Sequence, residues 1–392
     1  MGATPVSNDF LDEAALLRAE PIYPLHAFVC STCRLVQLQD FLKADELFRE
    51  DYAYFSSYSD AWLAHAAAFS AAMSPRFNLT AESLVVEVAS NDGYLLQYFQ
   101  RDGIPVLGIE PSRSVAEAAK AKGLATRVEF FGVDTARRIR SEVGPADLIV
   151  ANNVLAHVPD INDFASGFAE LLKSQGVVTV ENPHLLNLIE LNQFDTIYHE
   201  HFSYLSLLAV EKIFAKAGLR VFDVERLPTH GGSLRYFACL IDAGHRETAT
   251  VAETRAREHS AGLANDKVYS AFAEKVRETK RNLLELLIKL KRNGARIAAY
   301  GAPAKGNTLL NYCGIGRDFI DFTVDRSTAK QGKYLPGSRL PILAPEAIIA
   351  AKPDYILILP WNLAEEIMSQ MKAVRSWGGK FIVPIPEARI LD

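Results

Sequence analysis

Cysteine is scarce in this chain: its 392 residues contain four, Cys30, Cys33, Cys239 and Cys313, and only the first two are close together. Four thiols placed this way argue against a disulfide framework and fit a reducing, cytoplasmic setting. Long apolar runs are missing too, and without about 18 uninterrupted apolar residues no membrane span is expected. The first residues, MGATPVSNDFLDEAALLRAE, lack the basic-then-apolar pattern of a secretory signal. Positive charge is not in excess: 42 Lys and Arg stand against 47 Asp and Glu, a net −5 that offers no broad field to nucleic acid or an anionic membrane. That balance leaves room for a local phosphate pocket.

What is present is the composition of a soluble globular protein, 49% hydrophobic and 23% charged. The length implies two or three domains. Residues 1–65 hold the pair CSTC and an aromatic, Ser-rich run, DYAYFSSYSDAW, and read as a small irregular module. Residues 66–248 contain short apolar strands alternating with helical patterns (LVVEVA, YLLQYFQRD, PVLGIE, SVAEAAKAKG, DLIVANNV), then VVTVEN and a polar insert. Such alternation predicts a doubly wound α/β sheet. Residues 249–392 begin with a long charged helical stretch that Gly294 is placed to stop, and then return to α/β alternation in a second unit. Nothing in the sequence fixes the oligomeric state; a monomer is the expectation.

The first chemical signal is VVEVASNDGYLLQYF, residues 85–99, where a strand carrying Glu87 passes through a small-residue turn, Ser90, Asn91, Asp92 and Gly93, into a helix. At the carboxyl end of a strand in a doubly wound sheet, small residues let the backbone approach a ligand closely. About twenty residues later VLGIEPS ends its strand in Glu110, where a carboxylate can accept from both hydroxyls of a ribose. The turn is not G-x-G-x-x-G, so a pyrophosphate-bearing dinucleotide is disfavoured. A ribose without pyrophosphate points to S-adenosylmethionine. The plain alternative is an ordinary strand-to-helix turn.

The second signal is DTIYHEHFSYLS, residues 195–206, which sets Tyr198, His199, Glu200 and His201 in a row. Three readings stand side by side: a metal site, an acid/base site, or a polar loop. In an extended segment His199 and His201 share one face, yet the i, i+4 spacing of H-E-x-x-H is absent. Histidine is the natural base near neutral pH, glutamate can orient or bind, and tyrosine can donate to an oxygen. Further on, THGGSLR offers His230, Gly231, Ser233 and Arg235 for a sugar or its diphosphate, or is a hairpin with a solvated arginine. YGAPAKGNTLL places Lys305 and Asn307 at a strand-to-helix loop suited to phosphate but is not an ATP-hydrolysing loop.

Together, VVEVASNDGYLL, VLGIEPS, DLIVANNVLAHVPDINDF, ENPHLLNLIELNQFDTIYHEHFSYLS, THGGSLR and YGAPAKGNTLLNYCGI resemble the S-adenosylmethionine-dependent sugar C-methyltransferases. These enzymes act on nucleotide-linked ketodeoxysugars and build branched sugars for antibiotics and surface polysaccharides. The resemblance implies a central Rossmann-like class I methyltransferase domain, a small zinc-binding N-terminal module and a second Rossmann-like C-terminal domain that binds the nucleotide part of the substrate, dTDP or another nucleoside diphosphate. It places Glu87, Ser90 to Gly93, Glu110, Asn152 and Asn153 at the cofactor, with the backbone around His157 completing that pocket. His201 becomes the base, with Tyr198 and Glu200 beside the sugar and His199 near it. A tyrosine of the N-terminal module, Tyr52 or Tyr54, reaches the active site, and Tyr58 is a third aromatic of that run.

Two departures stand out. Ala89 takes the place of a family glycine, and is free of strain only if its φ is negative. Structural zinc takes four ligands, often two C-x2-C pairs, whereas here Cys30 and Cys33 form one pair and His26 is the one further ligand in reach of it, so metal at this site is disfavoured. The expected reaction is methylation at C3 of a 4-keto-6-deoxysugar through an enolate. The alternatives are methylation of a hydroxyl, hydride transfer on the C-terminal unit, or binding of a nucleotide sugar without turnover.

Overall fold

The computed structural model describes residues 1–42 and 55–392. Tyr52 and Tyr54 lie outside the described residues. The central sheet has seven strands in the order Leu219–Leu227, Ser233–Leu240, Leu172–Pro183, Ala146–Asn152, Val85–Val88, Val106–Ile109, Thr126–Arg127. The last five are mutually parallel, and Ser233–Leu240 runs antiparallel to both of its neighbours.

Strand residues alternate between two cores. Val86, Val88, Ile149 and Ala151 meet Phe164, Phe168, Leu171 and Phe214 on one face, while Val85, Leu148 and Val150 meet Phe69, Leu95, Phe99 and Phe237 on the other. A strand covered on both sides needs apolar residues at every position, which is why these segments read as runs and not as alternation. Truncating Phe168, fully buried between the sheet and its helix, to alanine is worth about 3–5 kcal/mol.

The elements beside the cavity are fixed locally. Helix Ile161–Leu171 starts at Asp160, whose carboxylate accepts from the backbone N–H groups of Asn162 and Asp163 at 3.1 and 3.0 Å. Helix Leu207–Lys216 starts at Ser206, whose hydroxyl accepts from Ala209 N at 3.2 Å. Buried Glu258 accepts from Leu207 N and Leu208 N at 2.7 and 2.9 Å, a carboxylate at the positive end of that helix, and also from Nε2–H of His184 at 2.8 Å. These bonds pin both ends of the segment that contains Tyr198 to His201.

The charged stretch after residue 249 is two helices, Ala249–Ser260 and Asp266–Arg292, separated by a turn at Gly262 with φ +85°. The second ends at Asn293 and Gly294, whose φ of +79° closes the helix as the sequence predicts. Its buried residues Val276, Leu283, Leu287 and Leu290 pack onto a six-stranded sheet, five strands parallel and Arg389–Leu391 antiparallel at one edge. The N-terminal residues are laid across this second unit: Leu11 bridges Tyr334, and Gly337 N donates to Glu20 at 2.7 Å.

Candidate active site

Strand Val85–Val88 has Val106–Ile109 on one side and Ala146–Asn152 on the other, so the chain leaves it in both directions. Ligands bind outside the carboxyl ends of strands at such a switch point. The loop there is wound tightly, with positive φ at Ala89 (+57°), Asn91 (+50°) and Gly93 (+77°). Gly93 has no room for a side chain, because a Cβ would lie 2.1 Å from Leu124 Cδ1. Ala89 therefore does adopt the left-handed conformation that favours glycine.

Glu110 faces the cavity. Its Oε2 accepts from Asn91 N at 3.0 Å and its Oε1 from Ser112 N at 2.8 Å, and burial still raises its pKa. Each oxygen keeps lone-pair capacity for a ligand hydroxyl. Asn91, Asn152 and Asn153 line the same wall, and the buried Oδ1 atoms of Asn152 and Asn153 have no partner among the described residues. The other residues expected at the cofactor do not line the cavity. Glu87 is fully buried beneath it, its carboxyl pushed well up by loss of water against the pull of the Tyr94 hydroxyl. Ser90 fills the space beside Gly108. Asp92 accepts from Ser57 N at 3.3 Å and from Lys122 Nζ at 3.0 Å, which ties the loop to the segment ahead of helix Asp60–Arg76. These residues shape the loop, and Glu110 and the asparagines face what enters it.

On the opposite wall the Tyr198 hydroxyl lies 2.8 Å from Nε2 of His201, and Nδ1 of His201 lies 2.8 Å from the Thr196 carbonyl oxygen. A carbonyl only accepts, so Nδ1 carries the proton and Nε2 presents the lone pair that Tyr198 donates to. Burial, with His157 adding to it, holds the His201 pKa well below its usual range. His157 stands edge-on to His201 with ring centres 4.6 Å apart and donates from Nδ1 to the Glu200 carbonyl at 2.6 Å. Removal from water lowers its pKa to about 4. Glu200 Oε1 accepts from Asn8 N and Nδ2 at 3.2 and 3.0 Å, whereas Oε2 is buried with no partner among the described residues. Burial raises the Glu200 pKa.

His199 points the other way, towards the Pro24 carbonyl at 3.1 Å and the edge of Tyr23. Residues 198–201 form a turn closed by a hydrogen bond from His201 N to the Tyr198 carbonyl at 2.9 Å, so His199 and His201 do not share a face as they would in an extended segment. Arg235 is also elsewhere. It is buried against Glu181 (2.8 Å) and Glu225 (2.9 Å), with His65 bridging to Glu181 at 2.9 Å, so it is neither solvated nor available to a phosphate. Burial alone raises the Glu181 pKa, but His65 and Arg235 outweigh it and the net shift is downward. Ser233 donates to the Thr229 carbonyl, Gly231 accepts from Gln193, and Asn307 donates to the Ser7 carbonyl at 2.6 Å. None of the three lines the cavity, whereas His230 and Lys305 do. The exposed Tyr58 stacks on Phe55.

One cavity of about 1130 Å³ joins these walls. The cofactor loop and Glu110 lie at one side, Tyr198, Glu200, His201 and His157 in the middle, and Lys305, Lys330 and Lys333 of the C-terminal unit beyond, with Asn8 and Phe10 of the N-terminal segment among them. Its size exceeds the roughly 300–1,000 Å³ of single small-molecule sites and leaves room for two ligands. The His157 side chain, Lys330, Lys333 and Asn8 line the cavity and are residues that sequence reading missed. The signal for His157 was its place in NNVLAHVPD, five residues past strand Ala146–Asn152, which lies beside the switch-point strand.

Three family models match in chain order: a zinc binding domain over residues 1–48, a methyltransferase domain over 62–224 and a C-methyltransferase C-terminal domain over 228–386. The C-methyltransferase NovU of Streptomyces niveus is 39% identical over 391 residues, 100% of this chain and 93% of that protein. The chain belongs to the S-adenosylmethionine-dependent C-methyltransferases. The ubiquinone biosynthesis O-methyltransferase of Rhodopseudomonas palustris (strain TIE-1) is 30% identical over 99 residues, 24% of this chain and 38% of its own length. Among solved structures, the magnesium protoporphyrin IX methyltransferase of Synechocystis PCC 6803 with bound SAM is 14% identical, with 50% of this chain and 88% of that chain covered and a TM-score of 0.35.

For a C-methyltransferase the cofactor wall has the right set of acceptors: a carboxylate with spare lone pairs and buried amide oxygens without partners among the described residues, beside a tightly wound loop. The residues present fit S-adenosylmethionine. The N-terminal module does not fit zinc in the same way. Cys30 and Cys33 sit on a turn between strands Ala27–Val29 and Val36–Leu38, His26 is stacked on Phe28, and among the described residues no group of three metal-binding side chains exists.

Proposed function

We propose that this C-methyltransferase adds a methyl group to C3 of a nucleotide-linked 4-keto-6-deoxysugar through an enolate, a step in making branched deoxysugars. The observation that carries the reading is the Tyr198–His201 pair, a neutral imidazole with its lone pair on the cavity side and a phenol in contact with it. Carbon becomes nucleophilic only if a proton is removed beside the ketone and the resulting oxyanion is stabilised.

In this reading His201 Nε2 takes the proton from C3 once the phenol turns aside. Protonation reverses the hydrogen bond: Nε2–H now donates to the Tyr198 oxygen, and the Tyr198 hydroxyl is released to donate to the enolate oxygen. One proton transfer thereby supplies both the base and the oxyanion donor. The depressed pKa of His201 keeps it in the base form at neutral pH and lets it shed the proton afterwards. Glu200 Oε2 is the acceptor for a sugar hydroxyl, and Lys305, Lys330 and Lys333 face the diphosphate. His230 completes the sugar side. Glu110 holds the ribose hydroxyls and Asn152 and Asn153 the methionine end, while S-adenosylmethionine, when bound, supplies an electrophilic methyl group.

The test is mass spectrometry after incubation with S-adenosylmethionine and dTDP-4-keto-6-deoxyglucose in deuterated water. Deuterium next to the ketone and a carbon-bound methyl are the expected result. A methyl on oxygen, or neither change with this sugar and its dideoxy and 3-amino analogues, overturns it.

A further inference from the structure

The segment that leads into the base is built into the other half of the molecule. Asn192, at φ +56°, donates from Nδ2 to Thr279 Oγ1 at 2.6 Å and to the Pro386 carbonyl at 3.3 Å. Phe194 is fully buried in the C-terminal core with Leu283 and Leu309, edge-on to Tyr312 at 5.5 Å. Asp195, with no exposed surface, accepts from the indole N–H of Trp361 at 2.7 Å. The next carbonyl along the chain, that of Thr196, is the one that holds Nδ1 of His201.

We propose that Asp195 is a positioning residue for the base, anchored by Trp361 so that the C-terminal unit sets the orientation and tautomer of His201. The inference rests on the reading of His201 as the base. A buried carboxylate is costly unless something compensates it, and a neutral side chain could accept the same indole N–H. Asp195 Oδ1 has no partner among the described residues, and burial raises the pKa to about 6 against the pull of Lys305. The ammonium of Lys305 lies 4.8 Å from the centre of the Trp361 ring and bonds to Asn362. Trp361 is thus held by Asp195 at its N–H and by Lys305 on its face. Lys305 also lines the cavity, so the group that meets the anionic end of the substrate and the group that aims the base share one indole.

The experiment compares Trp361→Phe, Asp195→Ala and Asp195→Asn with His201→Asn. Solvent deuterium exchange into dTDP-4-keto-6-deoxyglucose and steady-state kinetics are read for each, with S-adenosylmethionine binding as the check on folding. Trp361→Phe keeps a ring under Lys305 but loses the N–H, and should lower kcat and exchange roughly 10- to 100-fold with both KM values unchanged. Asp195→Ala should do the same, and Asp195→Asn, which keeps an acceptor, should recover to within about threefold of the unaltered protein. Native exchange in Trp361→Phe, or a loss in Asp195→Asn as deep as in Asp195→Ala, overturns the proposal. Native exchange in His201→Asn overturns instead the base assignment on which it rests. Histidine 15N spectra give an arm that needs no sugar: His201 should be the Nδ1–H tautomer in the unaltered protein and a mixture in Trp361→Phe and Asp195→Ala. An unchanged tautomer in both variants also overturns it.

Discussion

Tyr198 and His201 share a 2.8 Å hydrogen bond in which the phenol donates and the imidazole accepts, so the lone pair of the imidazole is occupied before any ligand arrives. In the proposed mechanism, removing the phenol therefore does two opposing things: it frees the base and deletes the oxyanion donor. The donor dominates in a transition state that places charge on oxygen. Tyr198→Phe is expected to lower turnover by roughly 10²–10⁴, and His201→Asn by at least as much. Cofactor affinity, measured by calorimetry, should be unchanged in both. Near-native turnover in His201→Asn removes it from the base role.

Glu110 tests the cofactor wall. Its two oxygens are oriented by Asn91 N and Ser112 N, and the charge-assisted bonds it is proposed to offer a ribose are worth about 1.5–3 kcal/mol each. Glu110→Ala should weaken S-adenosylmethionine binding by at least about tenfold, with the fold intact by circular dichroism. Unchanged affinity would place the ribose elsewhere.

Ala89 carries strain that can be relieved. An L-residue in the left-handed region costs about 1–2 kcal/mol, and glycine costs about 0.4–1 kcal/mol through the greater freedom of the unfolded chain. Ala89→Gly should thus stabilise the protein by up to about 1.6 kcal/mol, visible as a higher midpoint in urea. A lower midpoint would mean that the methyl group packs usefully.

The histidines predict a pH dependence. With a folded pKa of about 4 against the ordinary 6.5, His157 binds fewer protons in the fold than in the unfolded chain between those values. Stability rises with pH over that window and is lost as pH falls through it, by at most on the order of 3 kcal/mol, since one edge of the ring faces the cavity. Glu87, Glu110 and Glu200 have raised pKa values and act in the opposite sense, favouring the fold at low pH. The comparison that isolates His157 is His157→Gln, whose urea midpoint should fall less than that of the unaltered protein between pH 7 and pH 5. Parallel curves would refute it.

Two thiols do not close a tetrahedral zinc site. Dialysis against a chelator should leave the thermal midpoint unchanged, and metal analysis should return less than one zinc per chain. A drop on chelation that zinc reverses would show that metal holds the module.

The α/β alternation, the end of the long helix at Gly294 and the placement of Glu110 were legible in sequence because each rests on local rules of burial, helix termination and strand-end chemistry. The row Tyr198 to His201 was legible as chemistry but not as geometry. Whether His199 or Glu200 meets the cavity depends on where Asn8 and Pro24 come to lie, and those contacts span more than 170 residues. Arg235 reads as an anion binder until the sheet places it between Glu181 and Glu225. The break at Gly262 falls in the uncharged run SAGLAN, which divides two charged stretches whose common helical character reads as one helix.

The insertion of Phe194 into the C-terminal core bears on how enzymes of this kind can be recombined. A hybrid cut between residues 248 and 249 looks natural, since it separates two sheets. Yet it would pair one parent's residues 192–196 with another parent's socket of Thr279, Tyr312 and Trp361. Hybrids that carry this short segment along with the C-terminal half should retain turnover, whereas those that respect the apparent boundary should bind both ligands and turn over poorly.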